Sequence, residues 1–156
     1  MTFEELLARD GSLTYKTRGT SMEPLLHENR DLVTIRKKQP GERCRENDVV
    51  LYRYPGSSKY ILHRIVEVRP EDYVILGDNC TRYEYGIRDE NILGSMICIL
   101  RDGREVRTTD ETYLAYVRKL RANEKSRIRK HEKSEQFKQG VKKLIFYDHW
   151  KKYIGR

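Results

Sequence analysis

Cysteine is scarce in this chain and odd in number: Cys44, Cys80 and Cys98 are the only three. Their spacings, 36 and 18 residues, fit no zinc-binding pattern. Neither a disulfide framework nor a structural zinc site is expected, and reduced thiols in the cytoplasm are the simplest reading. No cofactor or metal is expected. Long apolar runs are missing too. The longest, near residues 92–100, is about half the length that crosses a bilayer, so the sequence predicts no transmembrane segment. The opening residues, MTFEELLARDGS, have neither the basic start nor the apolar stretch of a secretory leader.

What the sequence has in abundance is charge. Charged residues make up 36% of the 156 positions and the hydrophobic set 37%. That balance allows a polar surface over a real core, in one compact domain with some extension. The formal net charge is +8, from 32 basic and 24 acidic residues. Residues 111–156 hold 14 of the basic and 5 of the acidic ones, a net of +9. The preceding 110 residues, with 18 and 19, stand at −1. A neutral body with a basic tail points to an acidic partner for the tail: an acidic protein, an anionic membrane surface or nucleic acid. A solvated helical face is the plain alternative.

Patterning divides the chain in the same place. Thr2 and Glu5 form a T-x-x-E capping box ahead of Leu6 and Leu7, which predicts a short N-terminal helix ended by the Asp10-Gly11 turn. From Ser12 the pattern is that of strands. SLTYKTR and DLVTIRK alternate, DVVLYRY is β-branched and aromatic, and KYILHRIVEV is long. YVIL is short, and ILGSMICIL turns at Asp102-Gly103 into REVRT. After Thr109 helical spacing takes over. Tyr113, Val117 and Leu120 form one set; Phe137, Val141, Leu144 and Ile145 form another. The expectation is two amphipathic helices separated by the charged stretch NEKSRIRKHEKSEQ.

Three short motifs carry chemistry. In GTSMEPLL, residues 19–26, Ser21 sits in a turn where Pro24 fixes one φ angle. Its hydroxyl needs a base to become a nucleophile, and amides of the turn are candidates to hold an oxyanion. Alone, the motif reads more readily as Ser21, or Thr20, capping a short helix or turn. In YILHRIVEV, Ile61, His63 and Ile65 share one face of a strand. Leu62, Val66 and Val68 lie on the other, which reads as the core face. A half-apolar face carrying one imidazole suits a cleft for an extended chain, although a lone histidine is more often structural. In ILGDNC, Asp78 and Asn79 occupy a turn after a strand, which is ordinary turn chemistry when read by itself.

In combination the motifs are more specific. GTSMEPLL, NDVVLYRYP, YILHRIVEV, GDN and ENILGSM, in that order, resemble the type I signal peptidases. Their order and spacing also resemble the self-cleaving LexA-type repressors, which share that catalytic domain. The likeness spans about residues 12–100. It implies a mainly β fold, a LexA/signal-peptidase-like barrel or sandwich, and an endopeptidase that cuts extended peptides. Most bacterial signal peptidases have lysine where His63 stands, whereas the endoplasmic-reticulum and archaeal type has histidine. A lysine must fall from about 10.4 towards 7 to serve as base, but an imidazole near about 6.5 is already poised. The expected apparent pKa of the base is therefore between about 6 and 7.5. The acidic third member of the histidine-type relatives falls on Glu84 here, with Asp78 as the other candidate. Departures from the family are the missing serine–aspartate element after Gly-Asp-Asn, Gly19 in place of a hydroxyl two residues before the nucleophile, and no membrane anchor.

The expectation is a soluble, cytoplasmic serine endopeptidase with a catalytic domain over 1–110 and a basic helical extension over 111–156. Ser21 is the nucleophile, His63 the base, and Asp78 or Glu84 orients the imidazole. The substrate is an extended peptide, such as a leader or signal-like segment of a precursor protein, added as a strand beside the cleft. The competing readings are a self-cleaving or nucleic-acid-binding regulator of the LexA type, and a catalytically silent peptide-binding module.

Overall fold

The computed structural model describes the backbone of residues 1–154 and the side chains of residues 1–143. Helix α1 (Phe3–Asp10) starts at the expected capping box. Glu5 N–H donates to Thr2 Oγ1 at 3.2 Å and Thr2 N–H to Glu5 Oε2 at 2.7 Å, so two orphan donors are satisfied at once. The helix stops at Gly11, whose φ of 72° lets its N–H turn back to the Leu7 carbonyl.

Eight strands follow: β1 (Ser12–Lys16), β2 (Leu32–Lys37), β3 (Val49–Arg53), β4 (Tyr60–Val68), β5 (Tyr73–Leu76), β6 (Glu84–Ile87), β7 (Ile92–Arg101) and β8 (Arg104–Arg107). All pairings are antiparallel. The order is β1-β2-β7-β3-β4-β5-β6, with β8 on β7. The mainly β reading is correct, and seven of the strands lie where alternation and β-branched content put them. The β7–β8 hairpin turns at Asp102 and Gly103, both with positive φ (49° and 73°), as a two-residue loop of that composition requires. Strand β6, sequence EYGI, has no alternation to read; tertiary pairing with β5 makes it a strand.

The sheet has a core on each face. Val49 and Leu51 of β3 join Leu7, Leu26, Ile35 and Met96 on one side. Val50 and Tyr52 join Ile65, Tyr73, Ile75 and Ile87 on the other. Strand β4 is consequently buried on both faces: Leu62 and Val66 on one, His63 and Ile65 on the other. The expectation that only the Leu62 face is core is corrected, and the reason is the second cluster beneath β5 and β6. Val68, at the end of that expected core face, is exposed.

Helix α2 spans Glu111–Ile154. The chain forms two units, residues 1–120 and 121–156. The first turns of α2 belong to the first unit, where Tyr113 and Val117 are buried in the first core. The second unit is helical through Ile154. A single helix replaces the two that were expected, because the intervening stretch holds good helix formers and no proline. Phe137 is 74% exposed and Val141 37%; Leu144 and Ile145 lie outside the residues whose side chains are described. Among the described residues, no helix is long and apolar enough to cross a membrane.

Candidate active site

The turn bearing Ser21 is held from below by its apolar residues. Met22, Leu25 and Leu26 are buried, and the Leu26 N–H closes the turn on the Met22 carbonyl at 3.0 Å. Gly19 enters it with φ of 82°, a conformation costly for any residue with a Cβ. The Gly-Asp-Asn turn clamps it from the side: Asn79 N–H donates to the Ser21 carbonyl at 2.8 Å and Asn79 Nδ2 to the Thr20 carbonyl at 3.1 Å. Gly77 is required there. A Cβ on it would lie 2.7 Å from the Ser21 carbonyl oxygen, 2.7 Å from Cys80 Sγ and 2.9 Å from His63 Nε2.

His63 stands on β4 opposite Val50 of β3. Its Nδ1 is 2.7 Å from Glu84 Oε1, and the Tyr52 hydroxyl donates to Glu84 Oε2 at 2.6 Å. The carboxylate therefore accepts from both neighbours, which places a proton on Nδ1. Burial works against the imidazolium. Hydrogen bonds to Cys80 and Glu84, with the Glu84 charge, outweigh it, and His63 is pushed up to about 9. This lies above the expected range of about 6 to 7.5, which took the imidazole near its unperturbed value. Burial pulls the Glu84 carboxyl upward, but its bonds from His63 and Tyr52 hold it below its ordinary value.

Asp78 does something else. Its carboxylate is bidentate on Arg64, at 2.8 Å from Nε and 2.7 Å from Nη2. It also accepts from the Tyr116 hydroxyl at 2.9 Å. Arg64 further donates to the Asn47 carbonyl and the Tyr113 hydroxyl. Arg64 and Asp78 are both buried. Since residues 63 and 64 point to opposite faces of β4, Asp78 serves Arg64 and Glu84 serves His63. Of the two candidate acids, Glu84 is the one brought to the imidazole.

Ser21 and His63 line one cleft of about 580 Å³, walled by Tyr15 to Gly19 and by Tyr60 to His63. Among the described residues, neither the Ser21 hydroxyl nor its amide has a hydrogen-bond partner. The His63 side chain is hydrogen-bonded instead to Cys80. Cys80 is the residue that sequence reasoning missed. Its only signal is its place, two residues after Asp78 in the clamping turn. No cluster of three or more His, Cys, Asp or Glu is arranged to hold a metal ion among the described residues. Compared with family models, characterised proteins and solved structures, the chain matches none.

Proposed function

We propose that the chain is a serine endopeptidase of the signal-peptidase and LexA type, acting through Ser21, His63 and Glu84. The observation that carries this reading is the 2.7 Å pairing of His63 Nδ1 with Glu84 at a cleft that Ser21 also lines. Glu84 holds the imidazole in the tautomer that accepts a proton at Nε2. Ser21 Oγ swings to Nε2 when substrate enters, gives up its proton and attacks the scissile carbonyl. The unpartnered Ser21 amide donates to the oxyanion. His63 then returns the proton to the leaving amine, and a water repeats the sequence to release the acyl group. Gly19 offers no hydroxyl, so backbone alone holds the oxyanion.

The eight-stranded sheet with two cores is compatible with the expected barrel or sandwich domain. Strand β1 is at the sheet edge, and the backbone from Tyr15 to Gly19 runs along the cleft. A peptide laid there adds a strand by main-chain hydrogen bonds. The substrate is thus an extended segment, such as the leader of a precursor protein. The basic residues 121–156 carry the enzyme to an acidic partner, and the free thiols fit a cytoplasmic setting.

A second reading, a silent peptide-binding module, is favoured by one observation: no hydrogen bond joins Ser21 to His63. Incubation with a pool of unstructured peptides separates the two. The hydrolase yields new termini that disappear in Ser21→Ala, whereas the binding module retains peptides uncut.

A further inference from the structure

The proposed hydrolysis gives Cys80 no task, yet its thiol occupies the base that hydrolysis needs. Cys80 follows the Gly-Asp-Asn turn, where its N–H closes on the Gly77 carbonyl at 2.8 Å. Its thiol donates to the Ser21 carbonyl at 3.9 Å. His63 Nδ1 is taken by Glu84, so the bond to Cys80 falls on the Nε2 side. The space above Gly77 has the same three atoms around it, Sγ, Nε2 and the Ser21 carbonyl oxygen. The thiol, the imidazole and the carboxylate thus stand in one row without substrate, Cys80 and His63 meeting above Gly77 and His63 paired with Glu84. The Ser21 hydroxyl has no such bond. Cys80 is partly exposed, so a small molecule can reach it from solvent.

We propose that Cys80 is a modification site for hydroperoxides, activated by the His63–Glu84 pair, and that its oxidation switches off the base. The switching half rests on the serine-peptidase reading; the thiol half does not. In the step, His63 Nε2 takes the thiol proton and the thiolate sulfur attacks one peroxide oxygen. The O–O bond breaks, the S–O bond forms, and the imidazolium proton leaves with the other oxygen, as water from hydrogen peroxide or as an alcohol from an organic hydroperoxide. Sulfur is oxidised by two electrons to a sulfenic acid, and the hydroperoxide is reduced. The new S–OH then faces Nε2 and denies it to Ser21. Two equivalents of a small thiol restore the cysteine and the base: the first displaces water to give a mixed disulfide, and the second releases the Cys80 thiol and leaves as the small disulfide.

The chain supplies its own controls. Cys98 on β7 is also partly exposed, but β2 and β8 place Thr34 and Arg107 opposite it, not a histidine. Cys44 is buried, and burial pushes its thiol up to about 12. The experiment treats the full chain with hydrogen peroxide in the presence of dimedone and maps the tag by mass spectrometry. Cys80 is expected to be tagged at least about tenfold faster than Cys98, and to lose that advantage in His63→Gln and in Glu84→Gln. Equal rates at Cys80 and Cys98 in the wild-type chain overturn the assignment, with no variant needed. In a second arm, peroxide without dimedone is expected to abolish fluorophosphonate labelling of Ser21, and dithiothreitol to restore it. Labelling that persists when Cys80 is fully oxidised overturns the switch. Selective tagging of Cys80 with no labelling of Ser21 in the reduced protein supports the thiol site and contradicts the hydrolase reading.

Discussion

Replacing Glu84 with glutamine keeps the shape of the site and removes its charge. Two donors, His63 Nδ1–H and the Tyr52 hydroxyl, now share one carboxylate. Glutamine has one carbonyl oxygen, so one donor loses its acceptor and faces an NH2 group. Opposite charges about 4 Å apart attract by about 4 kcal/mol at an effective dielectric of about 20, equivalent to about three pKa units. That is enough to account for the rise of His63 to about 9 against the opposing effect of burial. The variant is therefore expected to titrate about two units lower, near or below about 7. The assay is an NMR pH titration of the His63 ring proton, assigned against His63→Ala among the four histidines. Stability follows with a definite sign. The raised pKa stabilises the wild-type fold fully below about 6.5, and that contribution is lost as pH rises through about 9. In Glu84→Gln this loss shrinks. If the amide donates to Nδ1, it also locks the wrong tautomer, and turnover drops by about 10⁴-fold. A His63 pKa that moves by less than about half a unit, under about 0.7 kcal/mol, refutes the claim that Glu84 governs the imidazole.

Three other outcomes follow from the packing. Asp78→Ala strands a buried Arg64 and should cost about 3–5 kcal/mol in urea unfolding; a loss under about 1 kcal/mol would mean the pair is not structural. Gly77→Ala forces a Cβ against the Ser21 carbonyl oxygen, so peptide cleavage should be lost while far-ultraviolet circular dichroism stays native. Unimpaired cleavage there would contradict the clamp between the two turns. Removing residues 121–156 deletes the basic second unit, and should leave labelling of Ser21 nearly unchanged while abolishing retention on an anionic matrix that fades with salt. Unfolding of the shortened chain would show that those residues belong to the core.

Much of this arrangement is written in local patterns. Thr2 and Glu5 mark α1, Asp102-Gly103 marks the last hairpin, and the alternation of β1 and β2 marks their faces, because each is decided within a few residues. Strand β6 is illegible for the opposite reason. EYGI is a strand only because β5 offers it a partner. The two-sided burial of β4 depends on what lies beneath β5 and β6, which no window along residues 59–68 contains. The choice between Asp78 and Glu84 was open for the same cause, although a signal existed. An arginine beside His63 in an apolar strand must find an acid on the opposite face, and that claim on Asp78 leaves Glu84 for the histidine. The shift of His63 to about 9 also needs three dimensions, since Glu84 approaches from the start of β6 and Cys80 from the end of the Gly-Asp-Asn turn. The continuity of α2 was legible in propensity but masked by the polar stretch, which looks like a linker only when apolar spacing is the sole guide.

The central claim is that Ser21 is a nucleophile activated by His63. Treating the reduced chain with a fluorophosphonate probe above about pH 9, where the imidazole is neutral, tests it most directly. The expected result is one adduct, mapped by mass spectrometry to Ser21 in the wild type and absent from Ser21→Ala and His63→Ala alike. No adduct in the folded wild-type chain, or an adduct at Ser21 undiminished in His63→Ala, would contradict the account.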